Sequence, residues 1–281
     1  MSTNILVFDS GVGGLSILSE IKQVLPHASY YYLFDNARLP YGELQEQELI
    51  DGCIDIIGQA VERVAADIVV VACNSASTLI LPGLRALLSI PVVGVVPAIK
   101  PAAQLSKNKH IGLLATPGTV NRAYTHDLIT KFAAECHVER FGSSELVLMA
   151  EAKMAQQAID KALLAALLAP IKASGIDTLV LGCTHFPILK QELQTYLGDE
   201  VLLLDSGKAI AARVHTLLNP ETDKSGKAAL QAFFTTKTIS AGLERTLADY
   251  GFSSVRPLNG DTTDEMTNVL TDEGTQSKTK S

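Results

Sequence analysis

The chain lacks an excess of positive charge and long apolar segments, and each absence excludes a class of function. Its 281 residues include 23 Lys and Arg against 30 Asp and Glu, a formal net charge of −7, so no broad basic surface is available for nucleic acid or an anionic membrane. Its apolar runs fall well short of the roughly 20 residues that cross a bilayer. The run 5–8 is too short for a secretory signal and no basic residue precedes it. We therefore expect a cytoplasmic protein with no nucleic-acid or membrane partner.

Cysteine is scarce as well. The four cysteines are Cys53, Cys73, Cys136 and Cys183, and a disulfide framework is not expected in a cytosolic protein of this length. No two of them form a C-x-x-C pair, which gives little support to a zinc or thioredoxin-type site. We predict no metal site, and we interpret Cys53 and Cys136 as small buried apolar residues.

The other two cysteines end two matching segments. Asp67 and Asp177 each precede a run of mostly β-branched residues or leucine, and a cysteine follows each Asp by six positions. Such runs are typical of strands buried on both faces of a parallel sheet. Cys73 and Cys183 then lie at carboxyl ends of strands, where open α/β sheets bind their ligands.

Strand-like and helix-like segments alternate along the chain, which predicts an α/β fold with mainly parallel sheets. An internal repeat sharpens this prediction, since residues 5–11 line up with residues 112–118 and the two cysteine segments line up with each other. We predict two pseudo-symmetric βα lobes with the active site in the cleft between them. The first lobe would comprise residues 1–97 and 207–259, the second residues 98–206, and residues 260–281 would form a disordered tail.

The residues beside the two thiols suggest chemistry. A thiolate needs a helix N-terminus or a neighbouring base; a helix start follows Cys73, and His185 comes two residues after Cys183. Asp9, at the end of the first strand, could orient a thiol or ammonium group, or cap the next helix. Ser10, Thr116 and Thr119 are further candidates, because their hydroxyls suit a carboxylate. The glycines at 11, 13 and 14 give little support to a nucleotide site, since their spacing departs from a dinucleotide motif. We interpret Glu151 as a solvated helix residue with no role in the site.

Four motifs together resemble the glutamate racemase family: residues 8–15 (FDSGVGGL), 40–42 (PYG), 72–77 (ACNSAS) and 182–187 (GCTHFP). The resemblance extends to about residue 258, and Ser75 stands where the family usually has Thr. It implies cofactor-independent interconversion of L- and D-glutamate, supplying D-glutamate to peptidoglycan. Cys73, assisted by Asp9, would act on D-glutamate, and Cys183, assisted by His185, on L-glutamate. The implied substrate-binding residues are Asp9, Ser10, Tyr41, Gly42, Asn74, Ser75, Thr116, Thr119, Thr184 and His185.

The resemblance also implies a possible partner beyond the substrate. The segment from Gly142 to Lys153 looks like the proteobacterial branch, some members of which respond to a UDP-linked peptidoglycan precursor. The family includes monomers and different dimers, so the oligomeric state stays open.

Three other functions are compatible with the same residues. The first is an aspartate racemase or another amino-acid racemase of the same superfamily, because spacing does not measure pocket depth. The second is a non-catalytic two-lobed amino-acid-binding protein, which would need no thiol. The third is a hydrolase that uses Cys183 with His185; strand geometry counts against this pair unless the chain bends there.

Overall fold

The computed structural model describes residues 3–218 and 228–259, so the predicted tail 260–281 lies outside the described residues. Within them the chain forms ten β-strands, which alternate with helices as predicted. The strands are β1 (Asn4–Asp9), β2 (Ser29–Phe34), β3 (Ile68–Val71), β4 (Val92–Gly94), β5 (His110–Ala115), β6 (His137–Gly142), β7 (Thr178–Leu181), β8 (Leu202–Leu204), β9 (Leu230–Phe234) and β10 (Ser254–Pro257).

Eleven α-helices occur in the same residues. They are α1 (Leu15–Val24), α2 (Glu46–Val64), α3 (Asn74–Leu87), α4 (Ile99–Leu105), α5 (Pro117–Asn121), α6 (Ala123–Phe132), α7 (Glu145–Met154), α8 (Lys161–Ala173), α9 (Lys190–Leu197), α10 (Gly207–Leu218) and α11 (Ala241–Asp249). Two short 3₁₀ helices, Tyr41–Glu43 and Phe186–Leu189, lie in the loops that precede α2 and α9. In this part of the chain no helix combines the length and apolarity needed to span a membrane.

The strands form two sheets, and every strand pair in them is parallel. The first sheet has the order β10-β9-β2-β1-β3-β4, and the second has the order β6-β5-β7-β8. The predicted α/β class with two mainly parallel sheets is therefore confirmed. The first sheet draws its strands from both ends of the chain and the second from the middle. The lobe boundaries at 97/98 and 206/207 stay a prediction.

Four neighbouring strands of the first sheet, β2-β1-β3-β4, follow the same order as the four strands of the second sheet, β6-β5-β7-β8. The repeat proposed from the sequence is nevertheless misaligned by one residue. Ile5 pairs with Ile68 across β1 and β3, and Ile111 pairs with Thr178 across β5 and β7. Because Ile68 and Thr178 each follow the Asp of the cysteine segment, Ile5 corresponds to Ile111 rather than to Gly112. The sequence alignment matched polar residues with each other, whereas the second-lobe strand stays apolar for one residue longer. Ser10 therefore corresponds to Thr116.

Hydrophobic burial explains why the thiols lie where they do. All four residues of β3 and all four of β7 are buried, with helices packed on both faces of their sheets. After each of these two strands, the chain leaves the sheet at a buried cysteine. Cys53 is buried in α2 as predicted. Cys136 packs against the apolar core but is only partly buried, because it lies in the turn before edge strand β6, so its interpretation as a buried residue holds only in part.

Candidate active site

Cys73 lies at the N-terminus of α3, where it occupies the capping position. Its Sγ is 3.7 Å from the Oγ of Ser10. Ser10 directly follows β1, which pairs with β3 in the first sheet. Burial raises the pKa of the Cys73 thiol well above its usual value, and the Asp9 carboxylate raises it further. The Ala76 backbone N–H at the helix start and the Ser10 hydroxyl favour the thiolate, but only in part offset burial. Cys73 is thus a buried thiol that holds its proton in the structure.

Cys183 has a different neighbour. Its Sγ is 3.7 Å from Nδ1 of His185, and Nε2 of His185 is 2.6 Å from Oε1 of Glu151. Burial by itself would lower the pKa of His185, but hydrogen bonds and negative charge from Cys183 and Glu151 raise it well above its usual value. Cys183 thus faces a hydrogen-bonded imidazole, whereas Cys73 faces a hydroxyl and is influenced by a carboxylate.

The Cys183–His185 contact lies in the bend after β7. β7 ends at Leu181, and His185 has helical backbone angles, φ −73° and ψ −30°. The chain therefore bends there, which is the condition under which strand geometry does not count against this pair. The objection was also wrong in itself, because residues two positions apart share one face of a strand.

Asp9 is completely buried and holds the turn between β1 and α1. Its Oδ2 accepts the Gly14 N–H at 2.9 Å and the Gly11 N–H at 3.4 Å, while its Oδ1 accepts the Thr184 hydroxyl at 3.2 Å. Burial raises the pKa of Asp9, and the charge of His185 and the Gly14 N–H offset part of that increase. Asp9 holds the turn before α1 and acts electrostatically on Cys73. The first turn of α1 has no side-chain cap, so the interpretation of Asp9 as a helix cap was wrong.

Three hydroxyl groups from the two lobes meet in a triangle. The Ser75 Oγ, at the start of α3, is 3.0 Å from Thr116 Oγ1 and 3.0 Å from Thr119 Oγ1, and the two threonine oxygens are also 3.0 Å apart. Asn74 lies next to Ser75, and its buried Nδ2 finds no hydrogen-bond partner among the residues that the structure describes. A buried donor without a partner is costly, so this amide points to a ligand-binding role.

Tyr41 and Gly42 lie in the 3₁₀ helix after the second strand's loop. The Tyr41 hydroxyl donates to Asp35 Oδ2 and accepts from Cys53 Sγ, so both of these hydrogen bonds are made within the first lobe. Gly42 packs directly on Thr116, because a Cβ at position 42 would come within 2.6 Å of the Thr116 Cβ. This close approach brings the Tyr41–Gly42 backbone to the edge of the hydroxyl triangle.

The predicted site residues thus converge from both lobes. Cys73 and Cys183 are close enough for a charge on Cys183 to raise the pKa of Cys73. The residues Asp9, Ser10, Tyr41, Asn74, Ser75, Thr116, Thr119, Thr184 and His185 are all buried. Burial of these groups away from solvent strengthens the electrostatic interactions among them.

Glu151 is a site residue that the sequence interpretation missed. It is only 17% exposed and its Oε1 bonds to both His185 and the Val12 N–H, the latter at 2.7 Å. Its assignment as a solvated helix residue was therefore wrong. A signal was present in the sequence, since Glu151 lies at helical spacing from Val147 and Met154, both buried. An acid on the apolar face of a helix requires a partner.

Comparison with known proteins agrees with this geometry. A family model described as Asp/Glu/Hydantoin racemase matches residues 14–214. The chain is similar to the glutamate racemase of Shewanella loihica, with 68% identity over 255 residues that cover 90% of this chain and 95% of the relative. It is 64% identical over 262 residues to the glutamate racemase of Shewanella sp. strain MR-7, covering 91% of this chain and 96% of the relative.

A solved structure is similar as well. The Escherichia coli glutamate racemase, crystallised with L-glutamate and the activator UDP-MurNAc-ala, gives a TM-score of 0.87 at 46% identity, covering 92% of this chain and 98% of that one. The chain therefore belongs to the Asp/Glu/Hydantoin racemase family. Within that family it is an enzyme of the glutamate racemase group, an isomerase that acts on an amino acid. The resemblance drawn from the four sequence motifs is confirmed.

Proposed function

We propose that this enzyme interconverts L- and D-glutamate by proton transfer between Cys73 and Cys183, without a cofactor. The observation that carries the proposal is the pair of buried thiols, one at a strand end of each lobe and electrostatically coupled to the other. A racemase must treat near mirror-image substrates alike, and two thiols from two lobes can flank one α-carbon. Family membership supports the reaction class.

The environments of the thiols suggest how the protons move when L-glutamate binds. Cys183, beside the imidazolium of His185, takes the α-proton as thiolate, which leaves a carbanion conjugated with the α-carboxylate. Cys73, whose raised pKa keeps it protonated, delivers its proton to the opposite face. Cys183 is then a thiol and Cys73 a thiolate, which is the state that accepts D-glutamate. Proton count is conserved over the step, and return to the starting form requires exchange of one proton between the thiols or through solvent.

The remaining residues suit the two α-groups of the substrate. The hydroxyls of Ser75, Thr116 and Thr119 and the free amide of Asn74 can donate hydrogen bonds to a carboxylate. Donors already positioned for the developing negative charge stabilise the transition state, each by about 2.7–4 kcal/mol in well-studied cases. The Asp9 carboxylate and Thr184 hydroxyl suit the α-ammonium group. Ser10 and the Tyr41–Gly42 backbone would complete the pocket.

Glutamate is the proposed substrate rather than aspartate because of the high identity to glutamate racemases. We also infer a cytoplasmic location, where D-glutamate would supply peptidoglycan synthesis. The E. coli relative crystallised with UDP-MurNAc-ala supports a response to a UDP-linked precursor in this chain too. The oligomeric state stays open.

The two-thiol proposal can be tested by exchange of the α-proton in deuterated water. Cys73→Ser and Cys183→Ser should each reduce racemisation, followed by circular dichroism, by about a thousandfold or more, because serine is a far weaker acid and base at neutral pH. Cys183→Ser should lose exchange on L-glutamate and Cys73→Ser on D-glutamate. Cys136→Ser, at a partly exposed position, is the matched control and should behave as wild type.

Other results would favour the alternatives. If both active-site variants exchanged both enantiomers at the wild-type rate, the two-thiol mechanism would be wrong. Faster turnover of aspartate than glutamate by the wild type would identify an aspartate racemase. Binding of glutamate by the wild type with no turnover would indicate a binding protein, and a trapped acyl-enzyme on Cys183 would indicate a hydrolase.

A further inference from the structure

Two histidines and a glutamate cluster at the edge of the second sheet that is opposite to the thiols. His110 begins β5 and His137 begins β6, and these two residues are directly paired in the parallel ladder. Glu139 follows His137 by two residues, so it lies on the same face of edge strand β6. β5 runs from His110 to Ala115, and its five residue steps of roughly 3.3 Å separate this cluster from the active-site end of the sheet by about 17 Å.

The ligand atoms of the three side chains are close together. His110 Nε2 is 2.7 Å from Glu139 Oε1, and His137 Nε2 is 3.8 Å from the same oxygen. The two imidazole rings have centroids 4.7 Å apart. One ligand atom from each of the three residues can be chosen so that all lie within 4.8 Å of one another.

We propose that His110, His137 and Glu139 form a zinc site on the second lobe. Two imidazoles and one carboxylate are a ligand set that zinc takes with three protein ligands, leaving a fourth position for water. Ligands about 2.0–2.2 Å from a tetrahedral ion lie about 3.3–3.6 Å from each other. The distances of 2.7 and 3.8 Å bracket this value, so small side-chain rotations place all three atoms around one ion.

The exposure of the three residues allows that adjustment. The His110 and Glu139 side chains are 22% and 34% exposed, and that of His137 is 71% exposed. Two ligands are thus partly held by the sheet, and the third is free to rotate onto the ion. A bound ion would link edge strand β6 to its neighbour β5 at their first residues. Since binding to the folded state alone stabilises it, the melting temperature should rise with zinc concentration.

Calorimetric titration of the full chain, free of any histidine tag, with Zn²⁺ tests the site. We expect one ion per chain, with the dissociation constant raised about tenfold or more by His137→Gln and by Glu139→Gln, since each removes one of three ligands. His137 is so exposed that its replacement does not threaten folding. His215→Gln, at an exposed position of α10, is the matched control and should bind as wild type.

The active-site thiols are an alternative location for zinc, and Co²⁺ distinguishes them. Bound cobalt should give visible ligand-field bands without the near-ultraviolet charge-transfer band of thiolate ligands. Cys73→Ser with Cys183→Ser should leave that spectrum unchanged. At a cobalt concentration near the wild-type dissociation constant, His137→Gln should lose most of its intensity while wild-type racemisation is retained. Absence of binding, wild-type affinity in His137→Gln, or a thiolate band would each overturn the proposal, and the cluster would then be a histidine–glutamate hydrogen bond only.

Discussion

His185 and Glu151 form a 2.6 Å contact between an imidazole nitrogen and a carboxylate oxygen, and the same oxygen accepts the Val12 N–H from the other lobe at 2.7 Å. Glu151 therefore supports the protonated imidazole beside Cys183 and ties the second lobe to the turn after β1. The Glu151 carboxylate thus both joins the two lobes and stabilises the positive charge on His185.

Replacement of Glu151 by Gln should lower kcat/KM for L-glutamate about 10- to 100-fold, because a hydrogen bond to a charged group contributes about 1.5–3 kcal/mol. The carboxylate raises the pKa of His185, so its loss should lower that pKa. The alkaline limb of the pH–rate profile for L-glutamate should then move to lower pH. Initial rates measured by circular dichroism between pH 6 and 10 would check this.

Glu145 provides the control for that experiment. It lies in the first turn of the same helix, is exposed, and bonds to Ser143. Glu145→Gln should keep the wild-type pH profile. A Glu151→Gln profile that coincides with wild type would contradict the role given to this carboxylate.

Asn74→Ala should weaken substrate binding while leaving the fold almost unchanged. The Asn74 Nδ2 has no hydrogen-bond partner among residues 3–218 and 228–259, so its removal breaks no hydrogen bond to that atom in this part of the chain. We expect KM to rise about tenfold, the effect of losing about 1.4 kcal/mol of binding, with a melting temperature close to wild type.

Ser77→Ala, three residues further along α3, should behave in the opposite way. The Ser77 Oγ donates to the Val71 carbonyl and accepts the Val95 N–H, both at 3.0 Å. Its loss should lower the free energy of unfolding by about 1–3 kcal/mol with little change in KM. Equal effects of the two variants on KM would argue against a substrate contact for Asn74.

Gly42→Ala should hold the lobes apart. A Cβ there would lie 2.6 Å from Thr116 Cβ, which forces the first-lobe loop away from the second-lobe turn. Misplacement of about 1 Å costs catalysis about 100-fold, so we expect kcat/KM to fall about 10- to 100-fold. Gly58→Ala is the control, because in the described part of the chain a Cβ at this position of α2 meets nothing within 4 Å beyond the adjoining helix backbone. It should stabilise the protein by about 0.5–1 kcal/mol and retain full activity, whereas full activity of Gly42→Ala would contradict this close-contact model.

The strand ends were predictable because local patterns report them. An apolar run such as β3 or β7, bounded by Asp and Cys, predicts a buried strand whichever strands lie next to it. The exact correspondence between the lobes was not predictable. Asp9 and Thr116 match in polarity, but the strand pairing shows that the equivalent of Thr116 in the first lobe is Ser10. Register depends on hydrogen bonds between distant strands, which sequence similarity does not measure.

The sequence by itself determined the parallel α/β fold, the two thiols at strand ends and the family, because burial periodicity and short motifs are local properties. Only the tertiary structure decided which groups surround each thiol. Glu151 and His185 are 34 residues apart, and Ser75 and Thr116 are 41 apart. The pKa of a buried group depends on charges and hydrogen bonds brought to it through space. The difference between a proton-holding Cys73 and a Cys183 beside imidazolium therefore follows from the folded chain alone.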